Sequence, residues 1–498
     1  MAEWRWSRVV DHLRHLIPLL CLVSLPCLEV AEAQPVDALG PQVRKYLSVS
    51  TAKVILEHVE IIDGTGGPPV PDQNVTIANG KIAAISPGAD QPPSAGTTIL
   101  DLRGHAVLPG IVGMHNHLFY FTRPHLGADG SFEAPAMFVQ MTFSAPRLYL
   151  ANGVTTMRTA GSIEPYADVK LKQAIEKGAL PGPHLDVTGP YLEGSPNPNL
   201  QIDELTGPDD ARQTVAYWAE RGVTSFKAYA HITRDELRAA VEEAHKRGFK
   251  VTGHLCSVTY EEAAEIGIDN LEHGFLANTA LDPDKKPDQC SSSGGDYTLE
   301  HTPPGSPEAN RLLATLLKHH VAITSTLPGP AAWVDHPPVR AAALQAMAPS
   351  AREAYLYNRN RAPSAPSQTQ AALLRRDMEL QRAFVAAGGL LLAGADPVGV
   401  NGLVPGFADQ REIELLVEAG FPPAQAIRIA TLNGATFLGR QERIGSIAVG
   451  KNADLVVVKG DPAARIADIE NVEIVFKDGA GYDPKKLLDS VRDRYGEY

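Results

Sequence analysis

Short apolar segments alternate with amphipathic ones along most of the chain. From Pro109 onward, strand-like runs such as GVTSFKAY (222–229) are followed by stretches rich in Ala, Glu and Arg. In one of these stretches, TRDELRAAVEEAHKRG, the residues Leu237, Val241 and Ala244 recur at helical spacing. A regular alternation of strand and helix predicts parallel βα units.

Eight strand-like segments occur in this region. They are IVGMHNH (111–117), GVTTMRT (153–159), PHLDVTG (183–189), GVTSFKAY (222–229), KVTGHL (250–255), GIDNLEH (267–273), VAITST (321–326) and LLLAGAD (390–396). Most of these segments are followed by a helical pattern. The sequence therefore predicts an α/β fold whose main domain, residues 109–442, is a (β/α)8 TIM-type barrel.

The two ends of the chain have a different pattern. Residues 51–108 contain short β-branched strands separated by Asp-Gly, Asn-Gly and Pro-Gly turns, and the same pattern returns at 443–478. We expect one small β-sandwich lobe built from both ends, followed by a helix or tail over 479–498. Two long segments, 277–310 and 328–370, are predicted to be loops at the C-terminal face of the barrel, either lids or disordered insertions.

The first 33 residues have the features of a secretory signal peptide. Arg5, Arg8 and Arg14 precede a short apolar run (16–30), and Ala-Glu-Ala follows it. Cleavage before Gln34 would export the protein to the periplasm or the medium. The alternative is an uncleaved anchor, but the run is shorter than the ~20 residues of a good span, and two prolines interrupt it. No other long apolar run occurs, so we expect no membrane span after cleavage.

Composition narrows the possible classes of function. The chain has 498 residues, of which 44% are hydrophobic and 21% charged, as in globular proteins. Its net charge of −13 argues against a generic nucleic-acid binder. After the signal segment only Cys256 and Cys290 remain, and their spacing suggests no disulfide framework. We expect Cys256 to be a packed thiol, and Cys290, in a Ser/Gly-rich loop, could be free.

Candidate metal ligands end several of the predicted barrel strands. His115 and His117 form a His-x-His pair whose side chains point to one face of a strand. His254, His273 and Asp396 each end a further strand. A single histidine after an apolar strand is more often structural. Four histidines and one aspartate at C-terminal strand ends, which meet at one face of a barrel, favour a metal centre.

Lys227 ends the fourth predicted strand, in the same region. An ammonium group repels a metal ion and has no lone pair to donate. Lys227 could balance nearby carboxylates, or it could have reacted with carbon dioxide to form a carbamate that bridges two metals. We favour the second interpretation, an N6-carboxylated Lys227, because its strand lies between the His-x-His strand and the two single-histidine strands.

These motifs resemble those of a known family. VLPGIVGMHNH, FKAY, VTGH, LEHG and AGADP, with a C-terminal GSIAVGKNADLVVV, are similar to the amidohydrolase superfamily over about residues 51–478. The chain looks most like the binuclear, carboxylated-lysine branch that includes Xaa-Pro dipeptidases, arginine/lysine carboxypeptidases and ochratoxin-type amidases. Gly113 departs from that pattern, since Asp or another polar residue is usual there. The resemblance also implies self-association.

The resemblance implies two divalent metal ions, with zinc expected because it suits mixed imidazole and carboxylate ligands. The ligands that it implies are His115, His117 and Asp396 for the more buried ion, Lys227 as the bridge, and His254 and His273 for the second ion. A bridging water loses its proton near neutral pH, and one ion polarises the scissile carbonyl. Asp396 can then act as general base and as general acid toward the leaving amine.

The sequence thus predicts a metal-dependent hydrolase of amide bonds in a small substrate. Dipeptides and N-acyl amino acids are the expected substrates, and ochratoxin-type amides fit as well. One alternative is a cyclic amide hydrolase similar to imidazolonepropionase, or a deaminase, although those branches typically lack the lysine of strand four. Another is a non-catalytic scaffold of the same fold, but all six ligand types are retained.

Three further residues are candidates for substrate binding. Tyr229 lies two residues after Lys227 on the same side of the strand, and His231 follows it. Either could bind a substrate carboxylate or the oxyanion. Arg158 ends the second strand, and a guanidinium matches a carboxylate bidentately. Each could instead serve packing. The same two interpretations, pocket wall or loop packing, apply to an aromatic cluster after the histidine pair: Phe119, Tyr120 and Phe121.

Overall fold

The computed structural model describes residues 36–122, 125–126, 132–133, 137–334, 339–361 and 367–497. The expected signal segment, residues 1–33, lies outside these ranges. Within them, no helix has both the length and the apolar character that crossing a membrane requires.

The strands fall into three groups along the chain. The first group is β1 (Leu47–Val49), β2 (Lys53–Ile61), β3 (Val70–Ala78), β4 (Lys81–Pro87), β5 (Thr97–Asp101) and β6 (His105–Pro109). The second is β7 (Ile111–Asn116), β8 (Phe119–Thr122), β9 (His125–Leu126), β10 (Phe132–Glu133), β11 (Met137–Gln140), β12 (Val154–Thr159), β13 (His184–Asp186), β14 (Thr188–Leu192), β15 (Ser225–Ala228), β16 (Lys250–Gly253), β17 (Asn270–Leu271), β18 (Ala322–Ser325) and β19 (Leu391–Ala393). The third is β20 (Leu455–Lys459), β21 (Val472–Lys477) and β22 (Ala480–Tyr482).

Strands from both chain ends form one mixed sheet. Among the described residues it has nine strands in the order β1-β22-β21-β20-β6-β2-β3-β4, with β5 beside β2. The antiparallel pair β6–β20 joins the two ends, and Val107 faces Val457 across it. Buried β-branched and leucine side chains such as Leu56, Val75 and Leu455 fill the core of this lobe. The sheet reaches β1 and β22, slightly beyond the expected limits of 51–108 and 443–478.

Most strands between these ends form two parallel sheets, while β8 pairs antiparallel with β11 and β9 with β10. The orders of the parallel sheets are β13-β12-β7 and β14-β15-β16-β17-β18-β19. Val187 alone separates β13 from β14, so the two sheets adjoin there. At the other edge, the N–H groups of Ala395 and Asp396 donate to the carbonyl oxygen of His115 over 3.1 and 2.9 Å. The end of β19 therefore lies beside β7.

Helices follow most of these parallel strands, as the sequence pattern predicts. The α-helices of the described residues are α1 (Pro41–Arg44), α2 (Ser144–Ala151), α3 (Pro165–Glu176), α4 (Pro208–Ala219), α5 (Arg234–Lys246), α6 (Tyr260–Ile266), α7 (Asp296–Glu300), α8 (Pro307–Lys318), α9 (Pro328–Val334), α10 (Ala341–Ala346), α11 (Pro349–Arg361), α12 (Gln368–Ala386), α13 (Phe407–Glu418), α14 (Pro423–Arg428), α15 (Gly434–Phe437) and α16 (Pro484–Ser490). A capping box between Thr233 and Glu236 fixes the start of α5, where side chains satisfy the free N–H groups of the first turn.

The two segments predicted to be long loops contain helices. Residues 277–310 include α7, and the described part of 328–370 is mostly α9, α10 and α11. The prediction of a loop at 328–370 was therefore wrong. Two of its prolines, Pro328 and Pro349, stand at helix starts, where a missing N–H costs no hydrogen bond.

Cys256 and Cys290 form a disulfide, with Cα atoms 4.9 Å apart. The prediction of a packed thiol and a free one was wrong. The pairing arises because residues after β17 return to the segment that follows β16, where Thr279 Oγ1 donates to the Cys256 carbonyl over 2.8 Å. A spacing of 34 residues in the sequence does not reveal that return.

Candidate metal centre and active site

The six predicted ligand residues line one cavity. Four of them lie in or just after parallel strands: His115 in β7, His117 directly after it, Lys227 in β15 and His254 directly after β16. The other two also lie after strands and have positive φ: His273 follows β17 with φ 65°, and Asp396 follows β19 with φ 47°. Left-handed backbone of this kind is unusual outside glycine and is often found at functional sites. The cavity has a volume of about 250 Å³.

Distances between these side chains are short. Asp396 Oδ1 lies 3.0 Å from His117 Nε2 and 3.6 Å from His115 Nε2, and one possible ligand atom from each of the three lies within 4.8 Å of the others. Lys227 Nζ lies 3.3 Å from His115 Nε2. The His273 ring centroid is 4.3 Å from that of His254 and 4.6 Å from that of His115. The strand ends therefore bring all six side chains into one cluster.

Burial controls the protonation of this cluster. Desolvation lowers the pKa of His117 to about 4 and that of His254 to about 3, so both imidazoles are neutral at neutral pH. Burial also lowers the pKa of Lys227 to about 8, although nearby carboxylates oppose it. Burial alone would raise the pKa of Asp396, but the adjacent imidazoles of His115 and His117 hold it well below its usual range. The site therefore presents neutral nitrogen donors, an ionised carboxylate and an amine that loses its proton easily.

Glu272 is a functional candidate that sequence reasoning missed. Its fully buried carboxylate lies 2.7 Å from His115 Nδ1 through Oε2. Its other oxygen, Oε1, accepts a hydrogen bond from Thr252 Oγ1. A carboxylate on one ring nitrogen fixes the tautomer of a histidine and leaves the other nitrogen free for a metal. The position of Glu272 directly before His273 was a local signal for its role. Regular alternation along a strand would place the two side chains on opposite faces, but the positive φ of His273 breaks that alternation.

Arg158 does not reach the cavity. Its guanidinium is fully buried and donates through Nη2 to Glu272 Oε1 over 2.6 Å and to Asn270 Oδ1 over 2.7 Å. Its Nε donates to the Met114 carbonyl over 2.8 Å. The prediction that Arg158 could bind a substrate carboxylate was wrong, because its side chain is fully buried outside the cavity lining and bonds to protein groups through Nε and Nη2.

Tyr229 lines the cavity, and its ring centroid lies 5.2 Å from that of His254 and 4.7 Å from that of Tyr191. His231 is not among the residues that line the cavity. Its backbone N–H donates to Glu193 Oε1 over 2.7 Å, and its Nδ1 lies 3.6 Å from Glu193 Oε2. The structure therefore places Tyr229 at the cavity and His231 outside its lining.

Two glycines permit the close approach of elements around the ligands. A Cβ on Gly394 would lie 2.3 Å from His115 Cβ, so only glycine lets β19 pass this near to β7. A Cβ on Gly113 would lie 2.1 Å from Asn116 Nδ2, which donates to Asp409 Oδ1 over 2.8 Å. The Asn116 amide fills the space that a side chain at position 113 would need. This explains why glycine stands there in place of the usual Asp or other polar residue.

The part of the cavity lining formed by nonligand residues is largely apolar and aromatic. It consists of Phe119, Phe121, Phe138, Tyr191, Asn199, Ile202, Tyr229 and Val398. Tyr120 points away from the cavity, and its ring centroid lies 5.5 Å from that of Tyr495. Of the predicted aromatic cluster, alternation along β8 thus directs the two phenylalanines to the cavity and the tyrosine to the core.

Comparisons with known proteins agree with this architecture. The chain is 24% identical over 410 residues to an imidazolonepropionase of Micrococcus luteus, covering 80% of this chain and 90% of that protein. A protein of Bifidobacterium longum provisionally assigned as a prolidase is similar in structure, with a TM-score of 0.63, 25% identity and coverage of 89% and 99%. The ochratoxinase of A. niger shares the fold, with a TM-score of 0.61, 17% identity and coverage of 89% and 99%.

The family assignment rests on most of the chain. The sequence profile of the amidohydrolase family matches residues 106–480, which include all described strands of the two parallel sheets and all six candidate ligands. The fold of such proteins is of the TIM-barrel type. The chain belongs to the amidohydrolase family and is a hydrolase that acts on carbon–nitrogen bonds.

Proposed function

We propose that the protein hydrolyses an amide bond in a small substrate, such as a dipeptide or an N-acyl amino acid, with two divalent metal ions. The observation that carries this proposal is the convergence of four histidines, one aspartate and one lysine on one buried cavity. We assign His115, His117 and Asp396 to one ion, His254 and His273 to the second, and a carboxylated Lys227 to the bridge.

The residues fit this assignment. Nε2 of His273 is buried and has no hydrogen-bond partner among the described residues, which is costly unless something else binds it, while Nδ1 of the same ring lies 2.9 Å from Thr326 Oγ1. Neutral imidazoles and an ionised carboxylate are the donors that zinc prefers. His115 is already oriented, because Glu272 binds its Nδ1. Bound ions would supply the Lewis acidity that activates a water and polarises the scissile carbonyl.

Side chains of the protein would transfer the protons and bind the carbonyl oxygen. Hydrolysis forms a bond from the water oxygen to the carbonyl carbon, breaks the C–N bond and delivers a proton to the leaving nitrogen. Asp396 is ionised and about one third exposed to the cavity, so its carboxylate can take the water proton and pass it to the amine. The hydroxyl of Tyr229 can donate a hydrogen bond to the carbonyl oxygen as negative charge develops there.

We extend the proposal to the fold itself. The two parallel sheets close into one eight-stranded (β/α)8 barrel in which β13 and β14 are successive parts of the third strand. Support comes from the hydrogen bonds that Ala395 and Asp396, just after β19, donate to His115 in β7. The mixed sheet of both chain ends would form a β-sandwich lobe beside the barrel.

A cyclic amide is the alternative substrate, since imidazolonepropionase is among the relatives. Lys227 favours the linear amide, because it is buried within 3.3 Å of His115 and a bridging carbamate is the role that best explains a lysine there. A substrate panel should therefore contain a cyclic amide besides dipeptides and N-acyl amino acids.

The test combines metal analysis, turnover and labelling. We expect two ions per folded chain, release of free amine from some member of the panel, and loss of that activity after chelation with recovery on adding zinc. Protein equilibrated with ¹³C-bicarbonate should show a carbamate resonance that is missing in Lys227→Gln. A folded, zinc-replete protein that releases amine from no panel member would refute amide hydrolysis, and a missing resonance would refute the bridge.

A further inference from the structure

The cavity lining has chemically different parts. The ligand residues form the ligand side, Tyr191, Asn199 and Tyr229 add polar groups, and the rest is an apolar wall. This wall, as the term is used below, consists of Phe119, Phe121, Phe138, Ile202 and Val398. A substrate whose amide meets the ligand side must bring an adjoining group against the wall.

Backbone hydrogen bonds hold the wall in place. Strands β8 and β11 pair antiparallel, with Phe121 opposite Phe138, and the centroids of these two rings are 4.9 Å apart. The Phe121 N–H donates to the Val398 carbonyl over 3.0 Å. The side chain of Gln201 accepts from the Phe138 N–H over 2.6 Å and donates to the Phe138 carbonyl over 2.9 Å. The rings are therefore preformed, and binding a substrate need not order them.

The wall also touches the ligand side directly. The Phe119 ring centroid lies 4.4 Å from that of His117 and 5.0 Å from that of Phe138, where the two phenylalanine rings meet edge to face. An aromatic or branched aliphatic group on the substrate would bury apolar surface between these rings. A charged group in the same place would lose its hydration with no opposite charge among the wall residues.

We propose that this wall selects amides that carry an apolar, uncharged substituent of about the size of a phenyl or isobutyl group next to the scissile bond. This inference rests on the proposed amide hydrolysis and names the class of substrate. Burying a group of that size is expected to raise kcat/KM by about 10- to 100-fold over the same amide without it.

The test uses two matched sets of amides with the zinc-loaded protein. N-acetyl derivatives of glycine, leucine, phenylalanine, glutamate and lysine vary the amine side. Glycine acylated with acetyl, 3-phenylpropionyl and succinyl groups varies the acyl side. We expect the preference for apolar groups in at least one set, and that set shows which side of the bond meets the wall. Charged members that react as fast as the apolar ones in both sets would overturn the proposal.

Variants connect the preference to the wall. Phe138→Ala should reduce the ratio of kcat/KM between the apolar and the unsubstituted amide by about tenfold, and Phe138→Leu should retain most of it. Phe143→Ala is the matched control, because Phe143 is exposed and packs on Arg147 rather than lining the cavity. A loss of the ratio in Phe143→Ala, or an unchanged ratio in Phe138→Ala, would contradict a role for the wall.

Failure of the inference can be told apart from failure of the proposed function. If the wild-type protein hydrolyses amides without preference, only the inference fails. If it hydrolyses none, calorimetric titration with 3-phenylpropionamide and succinamate measures the wall through binding alone. Tighter binding of the phenyl compound by about tenfold, lost in Phe138→Ala, would support the wall, and equal affinities would overturn it.

Discussion

Replacing Glu272 by glutamine probes the support of the metal centre without removing a ligand. The carboxylate offers two acceptor oxygens, one toward His115 Nδ1 at 2.7 Å and one toward Arg158 Nη2 at 2.6 Å. In Glu272→Gln one of these oxygens becomes an NH2 donor that faces an N–H group. The side chain keeps its size, but one hydrogen bond and the negative charge are lost.

The magnitude follows from these contacts. Loss of a carboxylate that orients a ligating histidine typically lowers metal affinity by about 10- to 100-fold. Removing one partner of a buried ion pair costs about 3–5 kcal/mol of stability. We expect the lower end, about 3 kcal/mol, because Arg158 keeps its bonds to Asn270 and to the Met114 carbonyl.

Two measurements separate these effects. Transfer of zinc from the loaded protein to a chromogenic chelator reports metal affinity, and urea unfolding with excess chelator reports the stability of the apoprotein. Asp282→Asn is the control, since Asp282 is a buried carboxylate that accepts from the Thr298 N–H over 2.9 Å and belongs to no group of candidate metal ligands among the described residues. It should leave zinc transfer unchanged. If Glu272→Gln also transfers zinc at the wild-type rate, the carboxylate does not position His115 and the reasoning is refuted.

Three other predictions address the acid–base residue, a buried acid and the disulfide. Asp396→Asn should lose at least about 1,000-fold in kcat with an unchanged far-ultraviolet spectrum, because the amide cannot take the water proton; retention of most activity would remove Asp396 from this role. Burial raises the pKa of Glu412 to about 8 from an ordinary 4.5, so the folded chain holds a proton that the unfolded chain releases, and the free energy of unfolding should fall as pH rises between these values. Glu412→Gln should flatten that fall in urea titrations at about pH 5.5 and about pH 8, and an equally steep fall in the variant would contradict the assignment. The double variant Cys256→Ser, Cys290→Ser removes the cross-link between residues 34 apart in the sequence, and its free energy of unfolding should be about 2–4 kcal/mol lower than that of the wild type. If the wild-type protein is equally stable with and without reductant, the other bonds of the loop hold it and the prediction is wrong.

Much of the fold and the grouping of the ligands could be predicted from the sequence. A strand that ends in a histidine or aspartate places that side chain at one edge of a parallel sheet, whatever the details of packing. His115, Lys227 and Asp396 could therefore be grouped before any coordinates were known, and the structure brings them into one cavity. The predicted membership of the amidohydrolase superfamily and the hydrolase activity on C–N bonds are confirmed by the family match.

The remaining features depend on contacts that a linear pattern does not contain. Glu272 supports His115 because the backbone of His273 departs from strand geometry. Arg158 turns inward because a buried carboxylate from another strand is there to pair with it. The disulfide needs a loop to return across the end of β16. Each of these is a meeting of distant segments, and the sequence around a residue does not show which distant segment it will contact.

The pairing of β6 with β20 determines when the mixed sheet of a newly synthesised chain can finish folding. During translation β6 emerges early from the ribosome. Its partner strand β20, in which Val457 lies opposite Val107, emerges only near the end of synthesis. Until then the N–H and C=O groups along one edge of β6 have no partner strand, and strands of other chains can pair with such an edge. Contacts between such distant segments also slow folding. A nonsense codon between Asp396 and Leu455 should therefore lower the solubility of the truncated product, even though every candidate ligand precedes the codon.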